Sequence, residues 1–195
     1  MSIAAIGLFI VAFCFRVTIG DTTVIPLLPA CVGYYFIMKG MKVVRFENDT
    51  FKLAYKIAKI AMFATVPILA VDLAGVESWA YALYQALKFV EIIASIVIGY
   101  IIIEGVHQLE DKYGYVMGSY ELRNMWNIIV GIYAVTEAAA FVKQIPVWLT
   151  AVLLVVKLMF LIMFMQKFIE ASQLYDRREA QGKMSKEEDG PRFRL

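Results

Sequence analysis

Lys88, Glu91, Glu137 and Lys157 stand inside long apolar stretches of the chain, and they are residue types that can hold a charged solute or pass a proton. At the centre of a bilayer each would cost about 2.5–3.5 kcal/mol, so each must be paired, hydrated or used. Gln85, Lys88, Glu91, Ser95 and Gly99 recur at spacings of three and four, which draws one polar stripe along a helical face. In such a helix Lys88 and Glu91 are close enough to pair. Glu137 borders a small-residue stripe of Gly131, Ala134 and Ala138, a pattern that permits close helix packing. Lys157 shares a face with Thr150. Counting about 1.5 Å per residue inward from Trp79 and Pro146 places Lys88, Glu91 and Lys157 ~14–18 Å below the outer boundary, with Glu137 shallower. The four residues are therefore expected to form an intramembrane polar cluster. Two readings of it stay open. One is a polar cavity that binds a zwitterionic or charged solute, or relays a proton. The other is a set of internal pairs, Lys88 with Glu91 and Glu137 with Lys157, that fixes helix register.

Other chemistry has less to stand on. The single histidine, His107, follows Glu104 and precedes Glu110 and Asp111, which reads as a solvated interfacial cluster rather than a metal site. Two cysteines, Cys14 and Cys31, are too few for a disulfide scaffold or a four-cysteine metal site; both are expected as buried free thiols, with an outer-leaflet disulfide between them as the alternative. Asp72 ends an apolar segment without a second intramembrane aspartate to match it. There is no Gly-x-Ser-x-Gly elbow, no His-Glu-x-x-His and no phosphate-cradling glycine loop with lysine. No catalytic residue, cofactor or metal is expected, and the reading leans away from an enzyme.

The elements that must position these residues follow from composition. The chain has 195 residues, 61% hydrophobic and 18% charged, with a mean hydropathy of +0.69. Soluble domains run about 45–50% apolar and about 25% charged, and a chain this short cannot hide such an excess inside a water-soluble core. Six stretches approach the ~20 apolar residues a crossing needs: Ile3–Ile19, Val24–Val44, Ala58–Leu73, Trp79–Ile103, Leu122–Val142 and Pro146–Phe168. The expected fold is an all-α, polytopic membrane bundle of about six transmembrane helices over residues 1–170. A charged cytoplasmic tail, partly disordered, is expected over 171–195.

Lysine and arginine set the orientation, because basic loops stay cytoplasmic. Lys39, Lys42, Arg45, Lys52, Lys56 and Lys59 crowd the second connection, and Arg177, Arg178, Lys183, Lys186, Arg192 and Arg194 the tail. Both termini are thus expected inside. Asn48-Asp49-Thr50 is a capping sequence, and Lys52, Lys56 and Lys59 then fall on one face, an amphipathic lead-in beside anionic headgroups. Pro26 and Pro29 crowd the start of the second span, a tight hairpin is expected around Asp21–Thr23, and Pro67 is a candidate kink. Tyr113, Tyr115, Tyr120 and Trp126 on one side, with Trp79 and Trp148 on the other, fit interfacial belts. A net charge of +2 offers no footprint for nucleic acid. The expected partners are the lipid bilayer and either a membrane-protein partner or a second copy.

Leu27-Leu28-Pro29, Gly33-Tyr34, Gly40 and Phe51 resemble a pattern in small polytopic membrane proteins of clostridial-type bacteria whose role is unassigned. Ala30 stands where that pattern often has an acid, and the likeness covers residues 16–51 alone. The resemblance implies a bacterial plasma membrane and carries no catalytic residue across. Read physically, Gly33 and Gly40 mark close packing of the second span at a seven-residue repeat. The function expected is that of a non-enzymatic association or accessory subunit of the cytoplasmic membrane. The alternative is a small solute-binding or transport protein built around the polar cluster.

Overall fold

The computed structural model describes the backbone of residues 1–13, 16–19, 23–26, 29–74, 81–141 and 147–188, and the side chains of 1–13, 29–73, 83–136, 148–149 and 151–177. Six helices carry the chain: α1 (Ser2–Phe13), α2 (Ala30–Val44), α3 (Asp49–Ala74), α4 (Tyr81–Tyr113), α5 (Ser119–Phe141) and α6 (Val147–Glu188). Two short strands, β1 (Arg16–Ile19) and β2 (Thr23–Pro26), lie between α1 and α2. Helices adjacent in sequence pack as neighbours in space, and α1 also returns against α6.

The fold is a helical bundle with apolar helices of membrane-crossing length, as composition requires. Among the described residues three segments are long and apolar enough to cross: Asp49–Leu73, Leu83–Tyr113 and Ala151–Arg177. The expectation of uninterrupted helices over Ile3–Ile19 and Val24–Val44 is corrected. α1 has 12 residues and α2 has 15, a rise of about 18 and 22 Å, short of the ~30 Å hydrocarbon core. The reason is local. Val17-Thr18-Ile19 and Thr23-Val24-Ile25 are β-branched and stiff at χ1, which favours extended backbone. They pair antiparallel with Arg16 opposite Pro26 and Ile19 opposite Thr23, which is the hairpin expected around Asp21–Thr23. Pro29, at φ −62° and ψ 133°, is extended and caps α2 rather than entering it.

The later helices extend past their expected ends. Asn48 accepts the Phe51 backbone N–H at 2.8 Å, a side-chain N-cap, so the lysine-bearing lead-in is the first part of α3 itself. α3 continues through Pro67. Next to it the Thr65 hydroxyl donates to the carbonyls of Ala61 at 2.9 Å and Met62 at 3.1 Å. α6 runs on to Glu188, so the boundary set at residue 170 falls inside one continuous helix; Ala171, Ser172 and Tyr175 are buried there.

The core occupies one end of the bundle. Leu8, Ile37, Met41, Phe51, Ile98, Ile102, Leu109, Trp126, Phe164 and Phe168 are all closed to solvent. Glycines let the backbones meet. A Cβ on Gly7 would lie 2.5 Å from the Gly33 carbonyl oxygen, and one on Gly40 would lie 2.5 Å from the Ala4 nitrogen. The expected close packing at Gly33 and Gly40 is therefore present, and α1 is what it packs against. Gly99 clears space for the Trp126 indole, whose N–H donates to the Ile96 carbonyl at 3.3 Å and whose ring packs on Phe164. Trp126 is thus a core residue and not part of an interfacial belt, whereas Trp148 is exposed.

Candidate functional site

The most buried charges lie where the last turn of α3 meets the third turn of α4. Lys88 and Glu91 are one helical turn apart and face inward, 7% and 9% exposed, with their ion pair at 3.6 Å. The closer partner of Lys88 is Asp72, 4% exposed, whose Oδ2 lies 2.8 Å from the ammonium. Tyr84, one turn before Lys88, donates its hydroxyl to Asp72 Oδ1 and places its ring centroid 5.3 Å from the same ammonium. Tyr34 of α2, fully buried, donates to the Glu91 carbonyl oxygen at 3.2 Å. Ser95 turns its hydroxyl back onto the Ile92 carbonyl at 2.7 Å. The expected stripe on α4 is thus an inward face at Lys88, Glu91, Ser95 and Gly99, while Gln85 is exposed.

Of the four cluster residues named from the sequence, the structure brings Lys88 and Glu91 together. Lys157 of α6 is half-buried against α5, with its ammonium 3.7 Å from the Tyr133 ring centroid, a close cation–π geometry. The Glu137 side chain lies outside the described residues. Asp72 was the residue missed. It stood in the sequence as a lone acid in the final turn of one helix, with a lone base two turns into the next. In an antiparallel helix pair that arrangement is a cross-helix ion pair, and Tyr84 at i−4 from Lys88 was its second mark. A lysine shared between two carboxylates below the surface can hold a helix pair in register, or release one carboxylate to a competing cation or ammonium group.

The opposite end of the bundle carries a second polar network. Glu47, in the turn between α2 and α3, accepts from Lys112 at 2.8 Å, Tyr113 at 2.8 Å and Tyr175 at 3.0 Å, and so ties that turn to α4 and α6. The Lys112 hydrogen bond, helped by both tyrosines, holds the Glu47 carboxyl below the usual glutamate range against an opposing effect of burial. Glu110 caps α5, taking the backbone N–H groups of Met117 at 2.5 Å and Ser119 at 3.0 Å. His107 lies 3.5 Å from Glu110 and 3.9 Å from Asp111 on its own helix. Among the described residues no three His, Cys, Asp or Glu converge as a metal site. The amine of Met1 is pushed down by burial, with Asp176 opposing, and Ser2 donates to Ser172 at 2.9 Å. Cys31 is a free thiol, and Cys14 lies outside the described residues.

Compared with known proteins, the chain matches no family model, no curated protein and no solved structure.

Proposed function

We propose that this chain is a non-enzymatic, multi-pass protein of a bacterial cytoplasmic membrane, with both termini inside, that works by associating with another transmembrane helix of a second copy or a larger complex. The observation that carries the reading is the outward face of α5. Asn124, Asn127, Gly131 and Ala134 follow one another at spacings of three and four, and all four are exposed. A Cβ on Gly131 would meet nothing within 4 Å. Small residues and amide side chains are poor lipid-facing residues and good helix-contact residues, because they let backbones approach and hydrogen-bond across the seam. Gly131 and Ala134, the described part of the small-residue stripe, are thus exposed in the monomer and open to a partner, while Asn127 already accepts from the Tyr100 hydroxyl of α4 at 2.5 Å. In this reading α1 with β1, and β2 with α2, complete the first two crossings, since about 18 Å of helix plus about 13 Å of strand spans the hydrocarbon core. Non-helical backbone at membrane depth needs protein cover, and β2 lies against α3.

The test is disulfide-free cross-linking and gentle co-purification from native lipid, for the parent and for Gly131→Leu. The variant is expected to lose the cross-linked or co-purified species and keep the parent's melting temperature. A parent that extracts as a stable monomer with no companion removes the proposal.

A solute-binding role is the second reading, and the buried Asp72–Lys88–Glu91 group is what favours it. It requires that Glu91→Gln and Asp72→Asn abolish a ligand-induced thermal shift while both variants still fold. If both fail to assemble, the charges are structural.

A further inference from the structure

We propose that the corner between α2 and α3 is a binding site for the phosphate of an anionic phospholipid. A cavity of about 500 Å³ opens there, with Arg45, Lys52 and Lys56 in its lining beside the acids Glu47 and Asp49. The Arg45 guanidinium lies over the Phe46 ring at 4.6 Å and the Tyr55 ring at 5.2 Å. Stacked this way it is fixed in place, and its Nε is buried with no hydrogen-bond partner. A buried N–H without an acceptor is an uncommon and destabilising arrangement, and it leaves the terminal N–H groups of the guanidinium as the donors an oxygen anion in the cavity would take.

Two of the acceptors nearby, Glu47 and Asn48, are already committed. Glu47 is taken by Lys112, Tyr113 and Tyr175. The Asn48 side chain accepts from Phe51 and donates to the Gly105 carbonyl at 3.1 Å. The Asp49 carboxylate points into solvent, 99% exposed, and only approaches Lys52 at 3.7 Å. Of the two acids in the lining, Glu47 is thus taken and Asp49 is turned to solvent, which leaves Arg45, Lys52 and Lys56 as the cationic donors of the cavity. Arginine with flanking lysines is the donor set that phosphate oxygens take.

The surroundings select a lipid over a free anion. Phe46, 82% exposed, adds a large apolar surface to the lining itself. Here α3 begins the Asp49–Leu73 stretch of membrane-crossing length, so the corner stands at headgroup level with acyl chains below it. The inference does not depend on the association reading, since it uses a different face.

The experiment uses the full chain, delipidated in a neutral detergent, with phosphatidylglycerol, phosphatidylcholine or inorganic phosphate as probes. Native mass spectrometry reads retained lipid and a melting curve reads stabilisation. Phosphatidylglycerol is expected to remain bound and to raise the melting temperature, and phosphatidylcholine is not. Arg45→Gln and Lys56→Gln are each expected to weaken retention about tenfold, the loss of one charge-assisted contact, with partial rescue by Arg45→Lys. Lys39→Gln and Lys42→Gln, at exposed positions outside the cavity, should leave retention nearly unchanged. Equal retention of phosphatidylcholine overturns the proposal. So does equal weakening by the Lys39 and Lys42 variants, which would mean diffuse attraction, or full replacement of the lipid effect by inorganic phosphate. Lys56 is exposed, so Lys56→Gln decides the matter alone if Arg45→Gln does not fold.

Discussion

The two ends of the bundle are held by different physics. Around Phe51, Ile102, Leu109, Trp126 and Phe168 the helices meet through large apolar side chains closed to solvent, and glycines bring α1 and α2 into backbone contact. Towards the other end, the described residues buried on α3 after Met62 and on α4 before Val97 are Thr65, Ile68, Asp72, Lys88, Glu91 and Ser95, of which Ile68 alone is apolar. On α5 after Ile129 and α6 before Leu161 no described residue is fully buried. One end is thus fixed by shape and the other by charge. In hydrocarbon an exposed leucine has little to gain by burial against another helix, so packing and polar contacts must supply the order. The end ordered by charge also holds the candidate solute site, whereas the packed end holds the basic corner.

That contrast can be broken most severely at Lys88. Lys88→Met leaves Asp72 and Glu91 buried without their ammonium, and a loss of about 3–5 kcal/mol is expected in detergent unfolding. Adding Asp72→Asn should restore part of it, and a double-mutant cycle without coupling would show that the 2.8 Å pair does not hold α3 to α4. At the packed end, Gly7→Ala should cost about 1–3 kcal/mol, because the new methyl meets the Gly33 carbonyl and the Ile37 nitrogen, backbone atoms that cannot swing aside. A neutral outcome there would mean that α1 and α2 are not locked by shape.

Glu47 sharpens the comparison through pH. Its carboxyl is held low by Lys112, so its contribution is present above the ordinary glutamate value of about 4.3 and fades as pH falls through the lower folded value. Glu47→Gln should lower stability by about 1 kcal/mol at neutral pH and flatten the acid limb of the melting-temperature profile. An unchanged limb would exclude Glu47 as its source. The smallest folding effect is expected at Gly131, where Gly131→Leu should stay within about 0.5 kcal/mol of the parent while removing association.

Much of the architecture was legible from residue order. The helices from α3 to α6 cover nearly all of the apolar stretches that mark them, because hydrophobic length is a local signal. The cap at Asn48 was legible too, whereas the reach of α6 to Glu188 was not, because Tyr175 and Ser172 find their partners far along the chain. The β1–β2 pair shows a local preference prevailing over an apolar run, since Val17–Ile19 and Thr23–Ile25 are as oily as a helix and more strongly extended.

By itself the order of residues determined the membrane class, the inward stripe of Lys88, Glu91 and Ser95, and the close approach at Gly33 and Gly40, all set by hydropathy and by a 3.6-residue period. Tertiary structure decided that Asp72 is the nearer partner of Lys88, that Lys157 rests on Tyr133 and that Trp126 fills the notch at Gly99. Periodicity tells which side of a helix faces inward. Which residue waits opposite depends on the axial offset between helices, and that offset exists only once the helices have packed.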